Sequence, residues 1–327
     1  MSKARQLADN GASTPNRNVI INGAMNVAQR STSETGVGAS GGYFTLDRFY
    51  TDFANTAGRV TLTQTADGPS GFGKCMKFAC TTADTSIASG EAATIQQRIE
   101  GHNLQRFKKG TADAEKFAVS FYVKGNASAT YTCELITTDT ARSFSKTFSV
   151  TTSWTRVELL FDADTTGAIA DDNTVGLYLI IWLHAGSDYT SGTATTGWTG
   201  YTSNTVRVHD QTSFFDSTDR TFFLTGVQME VGNFTPFEHK TYAQDLIECQ
   251  HYYFKFLEGN NKEIGVAWYY SSSHASFMFR YPTTMRATPT ATDETGTGYY
   301  TLYAAGGSDA FNSVTFENGS TESYSAL

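Results

Sequence analysis

The sequence carries little charge. Only 17% of its 327 residues are Asp, Glu, Lys or Arg, and 32 acidic residues against 24 basic ones give a net charge of -8 at pH 7. No segment concentrates lysine and arginine in the way that a surface facing the phosphates of duplex DNA does. The composition therefore argues against nucleic acid as a partner.

Long apolar runs are also missing. No stretch approaches the roughly 18 to 20 apolar residues that a bilayer-spanning helix needs, which argues against insertion into a membrane. The first residues, MSKARQLADNGAST, hold two basic side chains but no apolar core. They therefore predict that the chain has no secretory signal and starts in a reducing cytosol.

Cysteine is scarce. The four cysteines are scattered without a CxxC pair, at Cys75, Cys80, Cys133 and Cys249. In a chain that starts in the cytosol, this pattern favours buried, unreactive thiols over a disulfide framework.

Signatures of common catalytic sites are absent as well. None of the six histidines forms HExxH, and neither GxSxG nor GxxxxGK[ST] occurs. We interpret His239, in PFEHK, as a structural imidazole near a helix start. The members of a Ser–His–Asp triad need only meet in space, so the sequence leaves one open but does not support it. We therefore predict that the chain is not an enzyme.

What the sequence does contain is β-forming residues. Aromatic residues reach 13%, with 23 Phe and 17 Tyr, and 29 Gly separate short segments while Pro occurs only 5 times. TDTA, at residues 138–141, predicts a hairpin loop. Strand signals recur about every 10 residues without helices between them, which predicts an all-β sandwich. KFAVSFYVKG alternates like a half-buried strand, and one face holds Phe117, Val119, Phe121 and Val123.

Other strand signals are less regular. The first is the short apolar stretch NVIINGAM at residues 18–25, followed by a Gly/Ser-rich loop at residues 31–42. VGLYLIIWLHAG, at residues 175–186, is apolar on both faces, which predicts a central strand covered twice, either by a second sheet or by a subunit. RTFFLTGVQMEVG, at residues 220–232, predicts the last strand of this block, with candidate core residues Phe223, Val227, Met229 and Val231.

The period changes after residue 240. Thr241 followed by Gln244 resembles a capping box, and we predict one helix over residues 242–251. The later segments return to short β patterns that are too small to bury a good core alone. We expect them to pack on the first block or on copies of themselves. The predicted domains are an arm at 1–15, a sandwich at 16–240, and the helix with a small β domain at 241–327.

An acidic loop is the one candidate metal site. FDADTTGAIADDN brings several carboxylates to a sandwich edge, where oxygen ligands can hold Ca²⁺. The order of an EF-hand is absent, so a solvated acidic hairpin is the favoured alternative. The candidate ligands are Asp162, Asp164 and Asp171, and we predict no other cofactor.

Aromatic residues provide the remaining functional signal. Tyr189, Trp198 and Tyr201 lie in a long Gly/Thr/Ser-rich loop, and exposed flat rings can stack on sugar faces. Core or subunit contact is the alternative for these three. The same alternative is favoured for Trp268 and its two tyrosine neighbours in the C-terminal segment.

Several stretches together resemble one known group of proteins. In chain order they are NRNVIINGAMNVAQRSTS, YFTLDRFY, SFYVKG, SWTRVELLF, GLYLIIWL, TGWTGY, FFDSTDRTFFLTGVQMEVGNFTPFEHKTYAQDLIECQHYYFKF and RYPTTMRATPT. They resemble bacteriophage tail fibres and fibre-like receptor-binding virion proteins of the marine phage type. The resemblance extends to about residue 290, and GVQMEVGNFTPFEHKTYAQDLIECQHYY is its most specific element.

The resemblance implies a jelly-roll β-sandwich similar to carbohydrate-binding modules, with no catalytic residues to carry over. Within the most specific element we favour structural roles. Phe234, Pro236 and Phe237 would fasten the chain to the sheet, and Glu238 and Lys240 would pair with or cap nearby backbone.

Together these observations predict a structural virion protein, a tail fibre or spike subunit that binds a host surface glycan without catalysis. It would lie on the exterior of the tail or capsid after assembly in the host cytoplasm. Its partners would be its own copies in a homotrimer, as the two-faced strand, the small C-terminal segment and the resemblance suggest. Another virion protein would bind the arm, through Lys3, Arg5 and Leu7. A capsid decoration, head fibre or tail adaptor without glycan contact is the alternative, and a polysaccharide depolymerase is the third reading.

Overall fold

The structure, a computed structural model, describes residues 16–201, 206–259, 262–271, 274–293, 295–304, 306–317 and 319–326. The predicted arm at residues 1–15, with Lys3, Arg5 and Leu7, lies outside the described residues. The chain divides between Asp245 and Leu246 into two compact units, close to the boundary that the sequence predicts. The larger unit is a jelly-roll β-sandwich, which confirms the predicted all-β class.

The larger unit contains twelve strands within its described residues. They are β1 (Ser33–Val37), β2 (Tyr50–Ala54), β3 (Arg59–Thr65), β4 (Cys75–Thr82), β5 (Ala92–Glu100), β6 (Phe117–Gly125), β7 (Ala129–Thr137), β8 (Arg142–Val150), β9 (Thr155–Phe161), β10 (Val175–Ala185), β11 (Thr199–Gly200) and β12 (Thr221–Val231). A 3-10 helix at Gly101–Phe107, a short helix α1 at Ser187–Thr190 and a 3-10 turn at Phe214–Asp216 join them.

The strands form two antiparallel six-stranded sheets. The first sheet has the order β1-β3-β4-β12-β6-β9, and the second has the order β11-β8-β7-β10-β5-β2. The main core fills the space between them, and β6 contributes the four apolar residues that its alternation predicts. The opposite face of β6 is more buried than predicted, because Ala118 and Ser120 are also inaccessible.

Residues 232–238, which follow β12, lie on that side of the first sheet, where Arg156 donates to the Thr235 carbonyl at 2.6 Å and to the Ser120 hydroxyl at 3.4 Å. Glu230 accepts hydrogen bonds from the backbone N–H of Thr235 at 2.8 Å and from its hydroxyl at 2.7 Å. Glu238 accepts from the backbone N–H groups of Asn16 and Asn18, both at 2.8 Å. The capping role predicted for Glu238 is therefore present, and it fixes the start of the described chain to the end of β12.

β12 differs from its predicted pattern because it contains a bulge. The register shifts between Thr225 and Gln228, and Gly226 has φ +61°, a conformation that favours glycine. Phe222 and Leu224 therefore face the core before the bulge, and Val227 and Met229 face it afterwards. Phe223, a predicted core residue, instead lies on the outer side beside Trp154 and two lysines.

NVIINGAM forms turns, whereas its apolar sequence predicts a strand. The Asn18 side-chain oxygen accepts hydrogen bonds from the backbone N–H groups of Ile20 and Met229, both at 3.0 Å. Asn22 bonds both backbone groups of Val27 through its side chain. These side chains satisfy backbone groups that a sheet ladder would otherwise pair. The Gly/Ser-rich segment that follows holds β1 rather than only a loop.

The central strand β10 is covered twice, as predicted. Its inner face, with Leu177, Leu179, Ile181 and Leu183, lies in the main core. Its outer face lies in a second cluster that Val208, Tyr189 and Tyr201 help to form. Tyr189, Tyr201 and Val208 of the same chain therefore cover the outer face, so this strand gives no support to a subunit interface.

The second unit is small. It contains a four-stranded sheet and a separate hairpin, formed by β13 (Ala267–Ser271), β14 (His274–Arg280), β15 (Tyr300–Ala304), β16 (Gly307–Phe311), β17 (Phe316–Glu317) and β18 (Ser323–Ala326). Helix α2 runs over Tyr242–Gln250, and the division between the two units falls within it. Thr241 and Gln244 form the predicted capping box, with the Gln244 N–H donating to the Thr241 hydroxyl at 3.3 Å. None of the helices in the described ranges is both long and apolar enough to cross a membrane.

Candidate functional site

The outer face of the second sheet, which points away from the first sheet, concentrates aromatic and polar side chains. Strand register places Tyr50, Gln96, Ile180 and Glu134 in one row across β2, β5, β10 and β7. The half over β10 and β7 is covered by Tyr189, Tyr201 and Val208, beside Arg207, which bonds Glu134. The half over β2 and β5 carries half-buried side chains that reach solvent.

Five side chains form a continuous strip on this open half, which we call the tyrosine–arginine strip. The Arg98 guanidinium lies 4.0 Å from the centre of the Tyr50 ring and 5.6 Å from that of Tyr178. Tyr43 meets Tyr50 edge-on at 5.1 Å, and Arg30 lies 5.3 Å from the Tyr43 ring. Each cation of the strip therefore faces an electron-rich ring, and Tyr43 and Tyr50 meet between the two cations.

Gly41 allows the loop before β2 to lie against this strip. A Cβ atom at residue 41 would lie 2.4 Å from the Tyr50 hydroxyl oxygen and 2.7 Å from Asp52 Oδ1. Any side chain at this position would push the Tyr50 ring or the loop away. Glycine here thus fixes the position of the ring on which Arg98 stacks.

Arg98 has an unusual environment for a half-buried cation. Across the described residues it forms no ion pair, and its Nε is buried without a hydrogen-bond partner. The nearby carboxylate on the same face, Asp52, bonds Gln96 at 3.3 Å instead. A guanidinium held between two tyrosines keeps N–H donors for an external oxygen atom.

The covered half is organised around a buried ion pair. Arg207 donates from Nε and NH2 to Glu134, both at 3.0 Å, and Trp182 Nε1 donates to the same carboxylate at 2.8 Å. Burial raises the pKa of Glu134, while the Arg207 guanidinium and the hydrogen bonds of Trp182 and Ser143 act in the opposite direction. The Arg207 guanidinium also lies within 5.8 Å of the Trp182, Tyr189 and Tyr201 rings.

Chemically, the face offers stacking surfaces and hydrogen-bond donors side by side. Aromatic rings bury the apolar faces of flat ligands, and guanidinium groups donate to hydroxyl and carboxylate oxygens. This combination suits a polyhydroxylated ligand that lies along the sheet.

Comparison with known proteins adds little to this geometry. No family model matches the chain, and no curated protein does. Similar solved structures include the enzymatically active domain of bacteriophage CBA120 tailspike protein 4, with 13% identity and a TM-score of 0.34 over 67% of this chain and 22% of that chain. This chain thus spans about a fifth of the tailspike structure.

Carbohydrate-binding modules are similar at the same level. A family 4 module has 11% identity and a TM-score of 0.33, over 64% of this chain and 97% of its own. A family 11 module from Clostridium thermocellum, in complex with a β-1,3-1,4-mixed-linked tetrasaccharide, has 9% identity and a TM-score of 0.30, over 64% and 99%. Scores this low carry no argument about ligand or activity.

The three aromatic residues predicted for glycan contact do not form one site. Tyr189 and Tyr201 lie together in the cover of the second sheet, as described above. Trp198 packs instead against the main core, 5.6 Å from Phe117 and 6.1 Å from Phe144 between ring centres. Its indole N–H donates to the Asp162 carbonyl at 2.6 Å. A contact of any of the three with sugar stays a prediction.

The three predicted calcium ligands are also separated. Asp164 is buried between Lys109 at 3.1 Å and Arg142 at 2.7 Å. Asp162 pairs with Lys116 at 3.2 Å, and Asp171 pairs with His102 at 2.8 Å, both near the surface. Each carboxylate thus has its own basic partner, and the structure does not bring the three together. A calcium ion bound elsewhere stays untested.

Other predicted residues have structural surroundings. The His239 ring packs on Phe237 at 4.9 Å and Phe72 at 5.1 Å. All four cysteines are buried and none is in a disulfide, as predicted. Burial raises the pKa of Cys75 to about 12 and that of Cys80 to about 11, which accounts for unreactive thiols.

Sequence reasoning missed the tyrosine–arginine strip. The alternation of each strand indicates that Tyr50 and Arg98 point outward, but the two strands are far apart in the chain. Only the pairing of β2 with β5, and of β5 with β10, brings Tyr50, Arg98 and Tyr178 to one place. Alternation within each strand indicates which side chains point outward, but it does not show which strands are neighbours in the sheet.

Proposed function

We propose that the chain is a glycan-binding subunit of a bacteriophage tail fibre or spike and that it acts without catalysis. The observation that carries the glycan-binding part is the half-buried Arg98, stacked between Tyr50 and Tyr178 on an open sheet face without an acidic partner. The tyrosine–arginine strip is the proposed sugar-binding surface. The covered half beside it, with Tyr189 and Tyr201, would form its wall.

The chemistry of the strip supports this proposal. A sugar ring presents a C–H face that packs on tyrosine and hydroxyl groups that accept from a guanidinium. Because Arg98 is already held by its two rings, binding would cost little side-chain entropy. Each site would be shallow and weak, so useful affinity would come from several copies acting together.

Replacing Arg98 by glutamine tests the site. On an array of bacterial surface glycans, we expect the wild-type chain to retain at least one glycan and Arg98→Gln to bind it about tenfold more weakly, because one cation–aromatic contact and its donors are lost. Tyr50→Ala should have a similar effect. Arg280→Gln, the same substitution at an exposed arginine in the second unit, is the matched control and should bind like wild type.

Thermal unfolding of each variant separates a binding defect from a folding defect. Glycan binding that is unchanged in folded Arg98→Gln and Tyr50→Ala would contradict the strip as the sugar site. Loss of binding in the control alone would move the site to the second unit.

The virion role rests on the sequence resemblance to phage fibres. A reconstruction of the phage particle should place the chain in a fibre or spike of the tail. Density for the chain on the capsid would favour the decoration or head-fibre alternative, and its absence from the particle would contradict a virion role.

Self-association is supported by the second unit. Its described residues include large apolar side chains that are mostly exposed, among them Val266 at 89%, Tyr303 at 81% and Met278 at 63%. Exposed apolar surface of this kind is typical of an interface rather than of an isolated small domain. With the resemblance, this supports a homotrimer, in which a closed ring of copies would bury these side chains.

The mass of the purified chain tests the oligomer. Multi-angle light scattering should give three times the 35.6 kDa of one chain. Tyr303→Ser combined with Met278→Ser should shift this mass towards that of the monomer, whereas Ser substitution of the exposed Ile87 in the first unit should not. A monomeric mass for the wild-type chain would contradict the trimer.

A further inference from the structure

A cluster of ligand-type side chains lies at one end of the sandwich, away from the tyrosine–arginine strip. It consists of Asp84, Glu91 and His184, whose ligand atoms lie within 4.8 Å of one another. All three are buried, with exposed fractions of 7%, 4% and 0%. His184 Nε2 lies 2.9 Å from Glu91 Oε2. Ligand atoms on a tetrahedral zinc are about 3.3 Å apart, so only a small opening of this contact is needed.

Both sheets contribute to the cluster. Asp84 follows the end of β4 in the first sheet, whereas Glu91 immediately precedes β5 and His184 lies near the end of β10 in the second sheet. The register of β10 against β5 shifts between Trp182 and His184. Such irregularities re-aim side chains, and here the imidazole meets the two carboxylates.

The charges of the cluster do not balance. Across the described residues, the only basic group paired with Glu91 is His184, and no lysine or arginine pairs with Asp84. Two buried carboxylates therefore face one imidazole. Even a protonated imidazole leaves one carboxylate without a basic partner: Asp84 accepts hydrogen bonds from the Thr56 hydroxyl and the Ala57 N–H, but buried charge is costly unless it is also paired or bound to a metal. A divalent cation would neutralise both carboxylates.

Each of the three side chains is already oriented by a second contact. The Thr56 hydroxyl donates to Asp84 at 2.8 Å, and the Ala88 N–H donates to Glu91 Oε1 at 2.9 Å. His184 Nδ1 lies 2.8 Å from the Ser213 hydroxyl oxygen, which also accepts the Phe215 N–H. With a metal on Nε2, Nδ1 carries the proton and donates to Ser213. Supporting hydrogen bonds of this kind are typical of metal-binding histidines and carboxylates.

We propose that Asp84, Glu91 and His184 bind one divalent transition-metal ion of the zinc class, which links the two sheets of the sandwich. The imidazole nitrogen favours this class over Ca²⁺, which takes six to eight oxygen ligands. The ion replaces the Nε2 proton of His184, and a water molecule completes the coordination. This site is separate from the predicted calcium ligands and independent of the proposed sugar site.

Metal content and thermal stability of the full chain test the proposal, with any affinity tag removed. After EDTA treatment and reloading with ZnCl₂, we expect about one zinc per chain by mass spectrometry after gel filtration. Saturating zinc should raise the midpoint of thermal unfolding of the sandwich by about 5 to 10 °C, because the ion binds only the folded state. The same concentration of CaCl₂ should leave the midpoint unchanged.

Conservative variants assign the ligands. Asp84→Asn and Glu91→Gln should lose both the bound zinc and the thermal shift. Asp171→Asn is the matched control, because Asp171 also pairs with a histidine, at 2.8 Å, but at the surface. Asp171→Asn should keep both the bound zinc and the thermal shift. Equal zinc retention in all three variants would overturn the proposal, as would a wild-type chain that retains no zinc.

X-ray absorption on the zinc-loaded wild-type chain gives an answer that needs no variant. The proposed ligands predict nitrogen and oxygen neighbours only. The chain also holds four buried thiols, so a sulfur neighbour would place the zinc at a cysteine and overturn the assignment.

Discussion

Replacing Arg207 by methionine is expected to lower the free energy of unfolding by about 3 to 5 kcal/mol, because it leaves Glu134 buried without its cation. Glu134 is fully inaccessible, and Arg207 supplies the bidentate contact that neutralises it. Methionine is an unbranched apolar side chain that replaces the aliphatic stem, so the loss of the guanidinium and its charge is the main change. Unfolding of the full chain in urea, followed by tryptophan fluorescence, measures the loss.

The loss should depend on pH in a defined direction. Burial raises the pKa of Glu134 in the folded chain, and removing Arg207 removes the largest cause that lowers it. The folded variant therefore binds this proton more tightly than the unfolded chain does. Its stability should fall as pH rises above the ordinary glutamate pKa, and the deficit against wild type should shrink on acidification towards that value.

Two further variants make this prediction specific. Glu134→Gln combined with Arg207→Met removes both charges, keeps an acceptor for Trp182 Nε1, and should recover much of the loss. Lys116→Met breaks an exposed ion pair with Asp162 and should cost less than about 1 kcal/mol. Similar losses in Arg207→Met and Lys116→Met would show that burial of Glu134 does not control the effect.

The pattern of alternating residues predicted the core well where strands are regular. Phe117, Val119 and Phe121 face the core as their spacing indicates, and so do alternate residues of β10. The prediction was wrong for Phe223 in β12, because the bulge at Gly226 changes which residues face inward, whereas Val227 and Met229 face the core as predicted. A bulge depends on the pairing partner, so alternation within one strand does not reveal it.

What covers the outer faces could not be read from the sequence. Ala118 and Ser120 lie on the side of the first sheet that residues 232–238 return across, and the outer face of β10 is covered by Tyr189, Tyr201 and Val208. Both covers are irregular segments held by particular side-chain bonds, such as Glu230 with Thr235. Irregular segments carry no period, so their position follows from tertiary contacts alone.

The candidate site shows the same limit. The loop aromatics were correctly noticed as unusual, but two of them cover a sheet and Trp198 joins the main core. The strip was overlooked because Tyr50, Arg98 and Tyr178 come from three strands. The acidic loop was noticed for its carboxylates, whereas the nearby cations lie elsewhere in the chain, at Lys109 and Arg142. The sequence identifies aromatic and acidic residues of this kind, but the order of the strands in each sheet determines which side chains they contact.

The second large effect is expected for Asp164→Asn, again about 3 to 5 kcal/mol, because the variant leaves Lys109 buried without its anion. The Lys109 side chain is almost inaccessible, and its ammonium also donates to the Thr166 and Gly167 carbonyls at 2.8 and 2.7 Å and to the Thr140 hydroxyl at 3.4 Å. Burial alone would raise the pKa of Asp164, but hydrogen bonds from Arg142 and Lys109 hold it below its usual value. The ionised carboxylate therefore stabilises the fold.

The stability that Asp164 contributes depends on pH in the opposite direction to that of Glu134. A lowered folded pKa gives stability that is fully present above the ordinary aspartate pKa and is lost as pH falls through the folded value. The difference between wild type and Asp164→Asn should thus be constant near neutral pH and close in acid. Urea unfolding between neutral and acidic pH measures it.

Asp162→Asn is the matched control, since Asp162 lies two residues away and pairs with Lys116 at the surface. It should cost less than about 1 kcal/mol. Lys109→Met combined with Asp164→Asn should regain part of the loss, because the uncompensated ammonium is gone. Calcium separates the two interpretations of this aspartate: an ion pair predicts the same unfolding curves with and without CaCl₂. A calcium-dependent gain in wild type that Asp164→Asn abolishes would instead make Asp164 a metal ligand.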